Sequence, residues 1–188
     1  MSLLVAGLVL FLGVHLLPAV PRLRGALVAR WGEPRYKSVF SLASALGLAL
    51  IVIGYARSGA RVPWFEPWPA ARVVAPYAMT LSFILLAAAN MRTHLRRALG
   101  HPMLIGVLIW ASVHLFANGD RAGTVLFGAI LGYAVIDLAS ALQRRAVKTF
   151  VPELKHDLIA IVAGVIVALA VMLFHRPLFG VATVAFGI

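Results

Sequence analysis

Apolar residues are grouped along this chain into six long runs, at about residues 3–20, 39–56, 73–91, 102–118, 123–143 and 158–175, with short polar stretches between them. Each run is near the ~17–25 residues that a membrane-spanning helix needs. None alternates apolar and polar residues as a barrel strand would. Backbone polar groups in lipid must be satisfied within each span, so the pattern predicts an all-α integral membrane protein, a bundle of about six transmembrane helices. The first run lacks a basic leader, and LPAVPRLRG is no small-residue cleavage site, so it reads as a retained helix. The segment RRAVKTFVPELKHD reads as a linker. The last run, GVIVALAVMLF, holds no polar residue before His175 and reads as a lipid-facing or peripheral span. The chain therefore divides into a membrane domain, 1–145, and a linker with a final helix, 146–188, and it shows no internal repeat.

Composition agrees with the pattern. Of 188 residues, 62% are apolar and 12% charged, against about 45–50% and about 25% in soluble domains. A net charge of +11 in a soluble protein would raise nucleic-acid binding. Here the cations sit in short loops, and the aromatic-interleaved motifs of nucleic-acid binders are missing, so the expected partner is the lipid bilayer and no nucleic acid. One set of loops carries Arg22, Arg24, Arg30, Arg35 and Lys37, then Arg92, Arg96 and Arg97, then Arg144, Arg145, Lys148 and Lys155. The other side has Arg57, Arg61, Arg72, Arg121 and Arg176. That bias places the first set in the cytoplasm and both termini on the far side. The loop PWFEPWPAAR (63–72) then lies outside, with Trp64, Phe65 and Trp68 as interfacial anchors. With no cysteine, disulfides, thiolate catalysis and Cys-ligated metals are excluded.

Two histidines fall inside apolar runs: His15 in LFLGVHLLP and His114 in IWASVHLFANGD. Titratable side chains at that depth cost free energy unless something binds them. Each can make an interhelical hydrogen bond or ligate a metal or haem, and the residues alone leave both open. Trp110, His114 and Asn118 are spaced to share one helix face, and Asn118-Gly119-Asp120 has the make-up of a helix end followed by a turn. His101-Pro102 opens the fourth run as helix-start punctuation, with His101 at the interface. His94, His156 and His175 read as interfacial. Asp137 and Arg144 can share a face and pair, and Asp120–Arg121 reads as a solvated loop pair. Counting ~1.5 Å per residue, His15 lies about 8 Å and His114 about 20 Å from the cytoplasmic ends of their runs. A shared ligand between them therefore needs tilted helices or a tilted ligand axis.

The segments GLVLFLGVHLLPAVPRLR, RWGEPRYKSVFSLASALGLALIVIGY, HPMLIGVLIWASVHLFANGD and LFGAILGYAVIDLASALQRR, in this order, resemble the NnrU family of bacterial membrane proteins over roughly residues 1–145. The family is named for an association with nitrite and nitric oxide reduction, and it includes a plastid zeta-carotene isomerase that carries haem b. The resemblance implies haem b held by His15 and His114, which match the isomerase's ligand positions, and a redox-gated, isomerase-like activity or a place in denitrification-linked metabolism. It also implies the bacterial inner membrane. Plant members have a cysteine one turn before the second histidine; here Ala111 stands there, so thiolate ligation cannot occur. Haem propionates near the cytoplasmic face want cations, for which Arg22, Arg24, Arg96 and Arg97 are candidates. Trp110 could pack on the porphyrin, and an apolar polyene or isoprenoid could enter sideways from lipid.

A second, shorter resemblance competes. HPMLIG is similar to the His-Pro-x-x-x-Gly turn of membrane methyltransferases of the isoprenylcysteine type, although Leu104 replaces a tyrosine. It implies S-adenosylmethionine bound at His101, with Arg144, Arg145 and Glu153 recruited. A third reading is a non-catalytic assembly or signalling protein.

Overall fold

A computed structural model describes residues 1–59, 62–147 and 149–180. The orientation count also used Arg61 and Lys148, which lie outside the described residues. Six long helices match the six apolar runs: α1 (Ser2–Leu16), α3 (Glu33–Ala56), α4 (Pro69–Ala88), α6 (Pro102–Asn118), α7 (Arg121–Gln143) and α8 (Leu154–Phe179). Two short helices, α2 (Pro21–Trp31) and α5 (His94–Leu99), occupy stretches the hydropathy pattern leaves as loops. Four helices, α2, α3, α4 and α6, carry proline in their first turn, where its missing N–H costs nothing. Five helices are long and apolar enough to span a membrane. The sixth, α6, has 17 residues, about 26 Å, the short end of the range.

The helices pack mainly as a row, in the order α3–α1–α7–α6–α4–α8. A row leaves two faces to the surroundings, and no more than 22% of the best apolar window in any of the five long spans is buried. In lipid that exposure is no penalty, because hydrocarbon solvates Leu and Val as well as a protein core does. Helix contact rests instead on small residues. Gly7 of α1 lies against the backbone of Ile51, and Gly47 of α3 lies against Phe11. Gly54 packs on the backbone of Leu4, leaving no room for a side chain. Gly164 of α8 meets the backbone of Ile84 in α4 in the same way. Between α4 and α6, the buried Ser82 hydroxyl donates to the Gly106 carbonyl at 2.8 Å. As the last member of the row, α8 exposes Val162, Ile166, Leu169 and Leu173, the peripheral place its sequence predicts.

All three Arg-rich connections meet at one end of the row. Arg144 at the end of α7 donates to Pro18 O at 2.8 Å, in the 3-10 turn (Leu17–Ala19) that ends α1. The Glu153 N–H donates to Arg92 O at 2.8 Å, and the two side chains pair. The aromatic loop closes the opposite end. Trp64 and Phe65 N–H groups both donate to Gly119 O, and Arg121 N–H donates to Val62 O. Gly119 allows this because it sits at φ 71°, where a side chain would be strained and would strike Phe65 and Pro67.

Three expectations change. The helix α3 starts six residues before its apolar run, because EPRYKS continues the helix out of the hydrophobic zone with Lys37 paired to Glu33 at 3.2 Å. Asp120 is not solvated: it is 5% exposed and caps α7, accepting from Gly123 N–H at 2.9 Å, because the 62–68 loop folds over it. Asp137 accepts from Tyr133 Oη at 3.2 Å, while the Arg144 side chain bonds to Pro18 and Ser140. The nearer hydroxyl one turn away wins over a guanidinium two turns away.

Candidate functional site

Both intramembrane imidazoles are held in the same way. His15 Nδ1 lies 2.7 Å from Phe11 O, and His114 Nδ1 lies 2.9 Å from Trp110 O, each four residues earlier on its own helix. A carbonyl can only accept, so each Nδ1 carries the proton and donates. In the neutral ring the lone pair is then on Nε2, the nitrogen that points away from its own helix backbone. Neither Nε2 makes a hydrogen bond among the described residues, and a backbone-anchored Nδ1–H with Nε2 as the acceptor is the tautomer that metal-ligating histidines show.

Aromatic side chains fix the rings from several helices. The His15 ring lies 4.2 Å from Phe11, 5.2 Å from Phe40 of α3 and 6.3 Å, edge-on, from Tyr133 of α7. The His114 ring lies 4.9 Å from Trp110 and 4.8 Å from Phe127 of α7. Trp110 also meets Phe127 edge-to-face at 5.1 Å. The expected stripe of Trp110, His114 and Asn118 is present, with the Asn118 amide donating to His114 O at 2.8 Å as the helix ends.

Both histidines therefore lean on α7, at Tyr133 and Phe127. Those positions are about 9 Å apart along the helix and about 120° apart around it. One face of α7 looks to α1 and the other to α6. Among the described residues no hydrogen bond or ring contact joins His15 to His114. The depth offset expected from residue counting reappears as this separation along α7.

The remaining candidates are distributed between the two sides of the row. Arg22 and Arg24 are on α2, which packs on α3 and the 3-10 turn. Arg24 pairs with Glu33 at 3.6 Å and lies over the Tyr36 ring. Arg96 and Arg97 are on α5, which packs on α4, α6 and α8. Arg96 lies over Phe150 and donates to Met91 O at 3.2 Å, and Arg97 is exposed. His101 is the N-cap residue of α6, and its Nε2 is buried without a hydrogen-bond partner among the described residues. Of the three groups a methyltransferase would recruit to it, two are committed elsewhere: Arg144 to Pro18 and Ser140, and Glu153 to Arg92 and Lys155. The Lys155 hydrogen bond, then the charge of Arg92, holds the Glu153 carboxyl below the usual carboxylate range.

Sequence reading missed one feature near His15. Tyr133, Asp137, Ser140 and Arg144 form a polar stripe on α7 that faces the end of α1, with Ser140 Oγ donating to Ala19 O at 3.3 Å. Their spacing of four, three and four residues was the available signal. Of the three histidines read as interfacial, His94 pairs with Asp157 and His156 approaches Glu153 at 4.0 Å, while His175 lies 4.9 Å from Phe179.

The fold and these residues define a multi-span α-helical membrane protein with two backbone-anchored imidazoles in its spans. The chain belongs to the NnrU family: the family model, described as NnrU protein, matches residues 3–183, so the match takes in α8 as well as the four motif segments. No curated protein and no solved structure matches the chain.

Proposed function

We propose that this NnrU protein is a haem b protein of the membrane, with His15 and His114 as its iron ligands. The observation that supports this best is the shared tautomer: each imidazole anchors Nδ1–H to the carbonyl four residues back and leaves Nε2 for a metal. The donor set fits a macrocycle better than a bare ion. Among the described residues no three His, Cys, Asp or Glu side chains gather as ligands. A porphyrin supplies four nitrogens itself and asks the protein only for axial ones. His15 from α1 and His114 from α6 would together hold the group beside α7, on which both rings lean.

Phe40 and Tyr133 beside His15, and Trp110 and Phe127 beside His114, are the aromatic side chains that would line the ring. Arg97, exposed on the helix next to the start of α6, is the propionate partner of choice. When bound, haem would supply one-electron chemistry, and the substrate class this reading favours is an apolar polyene or isoprenoid undergoing isomerisation. The open row supports the sideways entry such a substrate needs, since it has no aqueous route. Nitrogen-oxide chemistry at the same iron is the other activity this reading allows. In this reading the protein sits in the bacterial inner membrane, and the cation bias supports an orientation with the Arg-rich end in the cytoplasm.

The test is absorption spectroscopy on protein purified after haem-supplemented expression. A Soret band is expected in the parent chain and is expected to be lost in both His15→Ala and His114→Ala. Protein that stays colourless with haem in excess ends the reading. A Soret band untouched by either change moves the ligands elsewhere, and wild-type behaviour with a co-purifying protein favours the assembly role.

A further inference from the structure

We propose that α2 is a membrane-surface helix that holds anionic phospholipid headgroups on Arg22, Arg30 and Arg35. The proposal is independent of the haem reading. The starting point is that α2 is not needed to connect its neighbours. The antiparallel helices α1 and α3 pack closely, and two to five residues suffice for such a turn. This chain instead inserts an 11-residue helix, opened by Pro21 and closed by Gly32 at φ 78°.

No residue of α2 is fully buried; Arg24, Leu27 and Val28 are half-buried in a helix that packs on α3 and the 3-10 turn, and the rest is exposed. Its apolar residues nevertheless keep helical order. Leu23, Leu27 and Trp31 are four residues apart and share one face. Leu23 is 47% exposed and Trp31 39%, with Val20 beside them at 49%. Such a stripe with a terminal tryptophan suits the boundary between headgroups and acyl chains.

Charge commits the occupant. From 20 to 39 the chain carries five cations and one carboxylate, Glu33. Glu33 is used by Arg24 and Lys37. Arg22, Arg30 and Arg35 are exposed and make no hydrogen bond or ion pair among the described residues. Arg30 borders the apolar stripe, Arg22 lies on the same side of it but about 140° from its centre, at the N-terminal end of the helix, and Arg35 follows the Gly32 corner. Guanidinium groups beside an apolar stripe complement a lipid phosphodiester, which brings anionic oxygens and hydrocarbon together. Free phosphate would satisfy the arginines but not the stripe.

The experiment uses the full chain with Trp64, Trp68 and Trp110 changed to Phe, leaving Trp31 as the reporter, reconstituted in bilayers. Quenching of Trp31 is compared between brominated phosphatidylglycerol and brominated phosphatidylcholine at equal mole fraction. We expect quenching at least twofold stronger with the anionic lipid, and loss of that preference in Arg22→Gln/Arg30→Gln/Arg35→Gln. Equal quenching by the two lipids in the parent overturns the proposal. So does a preference that survives the triple change, or one abolished by inorganic phosphate in the buffer. Haem occupancy is read on parallel samples, the parent chain and the arginine triple variant, that keep all four tryptophans, because Trp110 belongs to the proposed haem site. A triple variant that loses its Soret band would assign Arg22 to a propionate instead, and a colourless parent that still prefers the anionic lipid would sink only the haem reading.

Discussion

The imidazole of His15 shows how far a side chain can be constrained by its protein neighbours. Its proton is fixed by Phe11 O and its plane by three aromatic rings. What a histidine at that depth does was open from its neighbours in sequence; which nitrogen it offers was not readable at all, since that depends on its χ angles. Asp120 shows the same limit from the other direction. In the sequence it is an acidic residue in a turn, whereas in the fold it is the buried cap of α7. Replacing Asp120 with Ala removes the acceptor for the Gly123 N–H and is expected to cost about 1 kcal/mol, with Asp120→Asn nearer to neutral. Thermal unfolding in detergent checks both. Glu153 makes a pH prediction. Its carboxyl is held below the usual range, first by the Lys155 hydrogen bond and then by Arg92. A depressed folded-state value means the tether to Arg92 is fully present above the ordinary carboxylate range and lost as pH falls through the folded value. Proteolysis of the 144–153 link should therefore stay slow at neutral pH and accelerate only under acid below that range.

At the level of helices, the six spans were legible because apolar length is a strong signal. The short helices were not. Interrupted by Arg and Pro, α2 looks like a loop until its i, i+4, i+8 stripe is laid against a surface. Only six residues long, α5 is begun by Thr93, whose Oγ1 accepts from Arg96 N–H at 2.9 Å. Which glycines matter is also a property of the packed elements. A side chain on Gly54 would run into the Leu4 backbone, while one on Gly13 meets nothing within 4 Å. Gly54→Leu should destabilise the α1–α3 pair by about 1–3 kcal/mol or more, and Gly13→Leu should leave stability nearly unchanged. Melting temperatures of the two variants, measured side by side, decide it.

Seen whole, the molecule is a row of helices tied at both ends, and the orientation proposed for it rests on which end holds the arginines. The chain has no cysteine, so single labels are unambiguous. In intact cells a membrane-impermeant maleimide should label Ser2→Cys from outside and Thr149→Cys only after permeabilisation. The reverse pattern would invert the cation argument and move the Arg-rich end outside.

Hydropathy and charge, which are sums over residues, are complete in the linear chain. From them came the number of spans, the membrane as solvent, the common side of the basic loops and the two histidines to watch. Neighbour relations are not sums. That α7 lies between α1 and α6, so that His15 and His114 touch it at Tyr133 and Phe127 rather than each other, depends on which glycine and alanine faces fit together. Such close-range contact energies appear only when the helices are packed, and they alone decide what two histidines at different depths can reach.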